Sequence, residues 1–113
     1  MPGRLNPQLV SGTTPLLVLA VIAEEELYGY EIAQRLRERS GGTFAPSEGT
    51  LYPTLHRLEL GGALQANWRA SDRGPRRRYY RLTEAGQGLL ADATQEWASL
   101  VKAVGAVTSG SAG

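Results

Sequence analysis

A chain of 113 residues, 42% hydrophobic and 20% charged, has the length for one domain with a modest core and the composition of an ordinary globular protein rather than a disordered one. The absence of cysteine excludes disulfides and thiolate metal sites, and no cofactor is implied. The longest apolar run, 16–23, is far short of the roughly 20 residues of a membrane span, and the first residues lack the layout of a cleavable signal, so a cytoplasmic protein with no membrane partner is expected.

Asn6-Pro7 is a start signal, since Asn caps well and Pro is tolerated at the first helical position; with Gly12 as its interruption, residues 1–12 read as an N-terminal arm or short helix. Thr14-Pro15 repeats the signal ahead of a run, 16–22, that is apolar all round and predicts a buried helix. Glu24-Glu25-Glu26 reads as a solvated loop. After Tyr28-Gly29-Tyr30, the spacing of Ile32, Ala33 and Leu36 predicts a second helix, with Glu31 near its start and Arg35, Arg37 and Arg39 near its end as the helix dipole favours. Gly41-Gly42 ends it. A third helix is predicted from Ser47, with Leu51, Leu55 and Leu58 as its inner stripe and Gly61-Gly62 as its stop.

Alternation through 64–70 places Leu64, Ala66, Trp68 and Ala70 on one face of a strand, with Trp68 read as a core aromatic. Asp72-Arg73-Gly74-Pro75 supplies a turn, and 76–82 returns as a second strand. Thr83 can cap a final helix in which Leu89, Ala93, Trp97, Leu100, Val104 and Val107 recur at spacings of three and four, followed by a small polar tail, 108–113, expected to be disordered. The fold class is therefore mostly α with a small β-hairpin: a winged helix-turn-helix over 13–82 and a C-terminal dimerisation helix over 83–107.

With the leucine stripe inward, a turn of about 100° per residue sets Gly49, Pro53 and His56 on the opposite face of the third helix, flanked by Tyr52 and Arg57. Ser47, Glu48, Thr50 and Tyr52, at or near its N-terminus, become candidate readers of base edges in double-stranded DNA, and Gly49 would permit close approach to the phosphates. Pro53 predicts a kink or a loosened first turn. The net charge of +1 hides a concentration: residues 69–81 hold six arginines and one acid, a net +5, which leaves −4 for the remainder. Arg73, Arg76, Arg77 and Arg78 are the candidate phosphate contacts of the wing, Arg76 and Arg78 on one face and Arg77 on the other. A solvated helix face and an edge-strand charge run are the plainer readings of these two segments. A catalytic site is not expected: His56 is the only histidine, and neither a phosphate-binding loop nor a dinucleotide fingerprint is present. The seam of the last helix, comprising Leu89, Ala93, Trp97, Leu100, Val101 and Val104, is too apolar for a monomer to leave in water, which points to a homodimer and, by symmetry, an inverted-repeat operator.

Tyr28-Gly29-Tyr30-Glu31-Ile32, Gly49-Thr50-Leu51-Tyr52-Pro53 with Leu55-His56-Arg57-Leu58-Glu59, and Gly74-Pro75-Arg76-Arg77-Arg78-Tyr79-Tyr80-Arg81-Leu82-Thr83 with Gly86 resemble the PadR family of transcriptional regulators over about 13–105. The resemblance implies a homodimeric repressor of the compact branch, with the third helix in the major groove, the wing on the minor groove or backbone, and the last helix in the dimer contact. It also implies that Trp97, with Ala93 beside it, lines a pore between subunits that takes planar aromatic small molecules, as in multidrug-responsive members. A protein-interaction adaptor built on a winged helix, and a DNA-binding regulator without an effector, are the alternatives; the arginine wing speaks against the first.

Overall fold

In the computed structural model, which describes residues 5–110, Asn6 opens helix α1 (Pro7–Ile22): its Oδ1 accepts the Gln8 N–H at 2.8 Å, and Pro7 stands at the helix start. The helix runs unbroken through Gly12 and Thr14-Pro15, so the two helices expected there are one. The hydroxyls of Thr13 and Thr14 donate back to the carbonyls of Leu9 and Val10 at 2.8 and 2.6 Å, which removes the capping use of Thr14. Thr14, Val18, Leu19, Val21 and Ile22 are buried, and their packing outweighs the single backbone bond that Pro15 removes. The arm expected over 1–12 is thus helical from Pro7; its first four residues lie outside the described ones.

Strand β1 (Leu27–Tyr28) and helix α2 (Gly29–Arg39) follow, the Tyr28 N–H donating to the Glu31 carboxylate at 3.2 Å. Helix α3 (Glu48–Leu60) follows Ser47 and is not interrupted at Pro53, and strands β2 (Leu64–Arg69) and β3 (Arg77–Leu82) form the hairpin. The hairpin gains an unexpected third member: the antiparallel order is β1-β3-β2, with Tyr80 between Leu27 and Ala66, and Tyr79 between Tyr28 and Asn67. Leu27, Leu64 and Tyr80 close the core formed by α1, by Ile32 and Leu36 of α2, and by Leu51 and Leu55 of α3, with Leu58 at its edge.

The acidic turn is exposed but not free. Glu24 takes hydrogen bonds from both terminal nitrogens of Arg39, Glu25 pairs with Arg35 at 2.7 Å, and Glu26 pairs with Arg69 of β2. The hydrogen bond from Arg39 holds the Glu24 carboxyl below the usual carboxylate range and raises the guanidinium in return. Surface pairs of this kind add little stability, so the core, rather than this loop, holds α1 to α2.

Helix α4 (Glu84–Thr108) is capped by Thr83, whose Oγ1 accepts the Gly86 N–H at 3.0 Å. Gly86 is buried and Leu90 packs on the core, but residues 94–110 are all exposed. The chain is consequently elongated, 59 Å in its longest dimension. Thr108 still belongs to the helix; residues 111–113 of the expected tail lie outside the described ones.

Candidate nucleic-acid interface

Helix α3 divides as its leucine spacing requires. Leu51, Thr54 and Leu55 face inward, whereas Ser47, Glu48, Gly49, Tyr52, Pro53, His56 and Arg57 are exposed and Thr50 is half-buried. The first turn is tied down: Thr50 and Leu51 N–H donate to the Ser47 carbonyl at 3.0 and 2.8 Å, and the Ser47 hydroxyl lies 3.3 Å from that of Thr50. Thr54 donates to the Thr50 carbonyl at 2.8 Å, one turn back. Pro53 removes only the bond to Gly49, at the exposed N-terminal end, which is why the expected disruption does not spread.

The pleat sorts the wing's side chains onto two faces. On the outer face the Arg69 guanidinium lies 4.3 Å from the centre of the Tyr79 ring and Arg77 lies 4.6 Å from that of Tyr28; the two tyrosines meet edge to face at 5.4 Å. On the inner face Arg76 and Arg78 lie 5.8 and 5.9 Å from the Trp68 ring. Trp68 is therefore not the core residue expected: it is 56% exposed, because the hairpin extends beyond the helices that cover Leu64. The arginines stack across it in the place of a core. Burial pushes the phenol of Tyr80, farther down the same face, above its ordinary value.

Arg78 is committed inside the protein. Its Nη2 donates to Glu59 Oε2 at 2.6 Å, while Arg78 Nε and Glu59 Oε1 are buried and without another partner. The single hydrogen bond joins the wing to the last turn of α3. Arg73, in the turn before Gly74, and Arg76 and Arg77 are exposed. Tyr28, Gly29, Tyr52, Trp68, Tyr80 and Arg76 to Arg78 line one cleft of about 420 Å³, so of the readers expected on α3 it brings Tyr52 together with three of the wing arginines, while Ser47, Glu48, Thr50 and Arg73 do not line it. Gly29 and Glu59 were not among the expected site residues; each is identified by a contact distant in sequence.

On α4, Leu89, Trp97, Leu100, Val101 and Val104 are between 43% and 53% exposed and Ala93 is half-buried, so most of the seam has no cover within one chain. Among the described residues no cluster of three or more His, Cys, Asp or Glu could hold a metal ion, and no helix is long and apolar enough to cross a membrane.

Residues 18–92 match the model of the transcriptional regulator PadR-like family. A transcriptional regulator of Mycobacterium tuberculosis is 44% identical over 77 residues, 68% of each chain. The structure of a PadR family transcriptional regulator from Eggerthella lenta superposes with a TM-score of 0.81 at 31% identity, covering 92% of this chain and 88% of that one. That of a transcriptional regulator from Clostridium thermocellum gives a TM-score of 0.81 at 27% identity over 88% of this chain and 94% of the other.

Proposed function

The chain belongs to the PadR-like family of transcriptional regulators, and from that membership we propose that it is a repressor that binds an inverted-repeat operator as a homodimer and is released by a planar aromatic ligand. The observation that supports the DNA-binding part is the cleft that Tyr52 of α3 shares with Arg76, Arg77 and Arg78 of the wing. In this reading residues 13–82 bind DNA, residues 83–107 bind the second copy, and the protein works in the cytoplasm. Ser47, Glu48, Thr50 and Tyr52 meet base edges and Gly49 lets the helix start approach the backbone, with His56 and Arg57 beside them. Arg73, Arg76 and Arg77 meet phosphates. Arg78 reaches DNA only through its remaining exposed edge, because Glu59 already holds it. A ligand would stack on Trp97 and Ala93 between the two last helices, and would release DNA only by as much as it prefers a different spacing of the α3 helices.

A footprint of the purified protein on the DNA upstream of its own gene tests this. Two protected half-sites about one helical turn apart, or a multiple of it, are expected. Protection without twofold symmetry would reject the dimeric reading, and no protection of any upstream DNA would reject the operator. Planar aromatic dyes added to the same complex should release the DNA and quench Trp97 fluorescence in a Trp68→Phe background; no quenching across a varied panel would remove the ligand and leave the operator standing.

The wing makes a second expectation. Arg76→Ala and Arg77→Ala should each flatten the slope of log affinity against log salt by roughly 0.9, the value of one lost phosphate contact. Arg78→Ala should change the slope less, since its charge is already paired with Glu59. A titration in which the first two substitutions leave the slope unchanged would reject the phosphate role of the wing.

A further inference from the structure

Gly29 opens α2 and is buried against the hydroxyl end of the Tyr52 ring. A Cβ placed on it would stand 2.6 Å from the Tyr52 hydroxyl oxygen, 2.8 Å from Cε1 and 2.9 Å from Cζ. All three atoms belong to the far half of one ring, and none is backbone. Gly29 is not among the glycines of positive φ, so its backbone conformation does not call for glycine, and helix propensity would favour alanine. The ring of Tyr52 is what requires a bare Cα. That ring is 46% exposed: part of it rests on Gly29 while the rest is open to solvent beside the wing arginines.

We propose that Gly29 is a positioning residue for DNA reading, a seat that holds the Tyr52 ring in one orientation on α3. The inference rests on the reading of Tyr52 as a base contact. A tyrosine free on a helix surface loses rotamer freedom when it binds; one already seated by its hydroxyl end loses less, and the open part of its ring is held in one orientation. Because only a ring end must move to admit a methyl group, Gly29→Ala displaces the reader and leaves the fold in place.

The experiment compares affinity for the footprinted operator with affinity for random-sequence DNA of equal length, in the full chain carrying Gly29→Ala, Tyr52→Ala or both. Gly29→Ala is expected to keep the unfolding midpoint, to weaken operator binding by about 5- to 150-fold, the scale of a lost base contact, and to leave random DNA unaffected. The double substitution should be no weaker than Tyr52→Ala alone, because the seat has no other use. Wild-type operator affinity in Gly29→Ala, with Tyr52→Ala weakened, overturns the seat and leaves Tyr52 as a reader. Wild-type affinity in Tyr52→Ala removes the reading and the inference together. Additive losses in the double substitution also overturn the seat. Proton NMR supplies a check independent of DNA and of the alanine variant's folding: Gly29 Hα should show a nuclear Overhauser contact to the Tyr52 Hε protons, and its absence in the wild type overturns the proposal.

Discussion

Gly86→Ala is expected to destabilise the protein by about 2 to 3 kcal/mol, the upper part of the range for forcing one methyl group into a packed site. The thermal midpoint should fall by on the order of 10 °C. A Cβ on Gly86 would fall onto the carbonyl oxygen of Ala63, 2.7 Å from Leu82 Cδ1 and 3.1 Å from the Ala63 carbonyl carbon. Unlike the ring end above Gly29, this neighbour cannot swing aside. The same carbonyl accepts the Thr83 N–H at 3.0 Å, and the Thr83 hydroxyl beside it, also 3.0 Å away, donates to the Gly62 carbonyl at 2.6 Å. Moving Ala63 therefore loosens the cap of α4 and the start of β2 together. Gly88→Ala is the control: it makes the same change two residues on in the same helix, where nothing lies within 4 Å, so it should stabilise slightly, by up to about 1 kcal/mol. Urea or thermal unfolding of the two variants checks the expectation, and equal midpoints would reject the clasp.

The clasp matters beyond stability because it connects the wing to α4. Thr83 bonds the loop that follows α3, caps α4, and follows directly on β3. The direction in which α4 leaves the domain is set here together with the packing of Leu90 on the core, and in a dimer joined by α4 that direction would fix the separation of the two α3 helices. A small rotation at Gly86 becomes a large displacement at the far end of a helix of 25 residues, about 37 Å at 1.5 Å per residue.

Those parts of the fold that depend on period were legible in the residues. The inner stripe of α3 and the seam of α4 are helical repeats, and the alternation of the wing correctly placed Arg76 and Arg78 together and Arg77 apart. What alternation cannot supply is how far the core reaches along a strand. Leu64 is buried, Ala66 is half-buried and Trp68 is exposed on one face of one strand, a gradient set by where the helices stop. Strand β1 has two residues, too few to show any period. Gly12 and Thr14-Pro15 carry real interruption signals for α1, and the buried face beginning at Thr14 overrides them. The candidate site divides along the same line. Tyr52 and the wing arginines stood out by residue type and position, whereas the contacts of Gly29 with Tyr52 and of Glu59 with Arg78 join residues far apart in the chain and have no local signature.

Joint substitution of Leu100→Glu and Val104→Glu is expected to convert the protein to a monomer and to weaken operator binding by about 10²- to 10⁴-fold, the avidity lost when two linked half-site contacts become independent. Both side chains are about half exposed in the single chain, Leu100 at 53% and Val104 at 49%, so a carboxylate at either position stays in water and costs the folded monomer little. The i, i+4 repulsion between the two new charges adds only about 0.2 to 0.5 kcal/mol. In a dimer the same positions would face a second α4, and four carboxylates would be brought together as they leave water, a cost that one apolar seam cannot offset. Beyond Ala93 every described residue of α4 is exposed, and an isolated helix of this length is marginal in water, which is the physical reason to expect a partner there. Sedimentation and operator titration separate the outcomes. A monomer with an unchanged unfolding midpoint for the winged domain, unchanged affinity for a single half-site and a large loss on the full operator is the expected result. A double variant that remains dimeric would place the dimer contact elsewhere, and a monomer that binds the full operator as tightly as the wild type would remove the need for a dimer in DNA recognition.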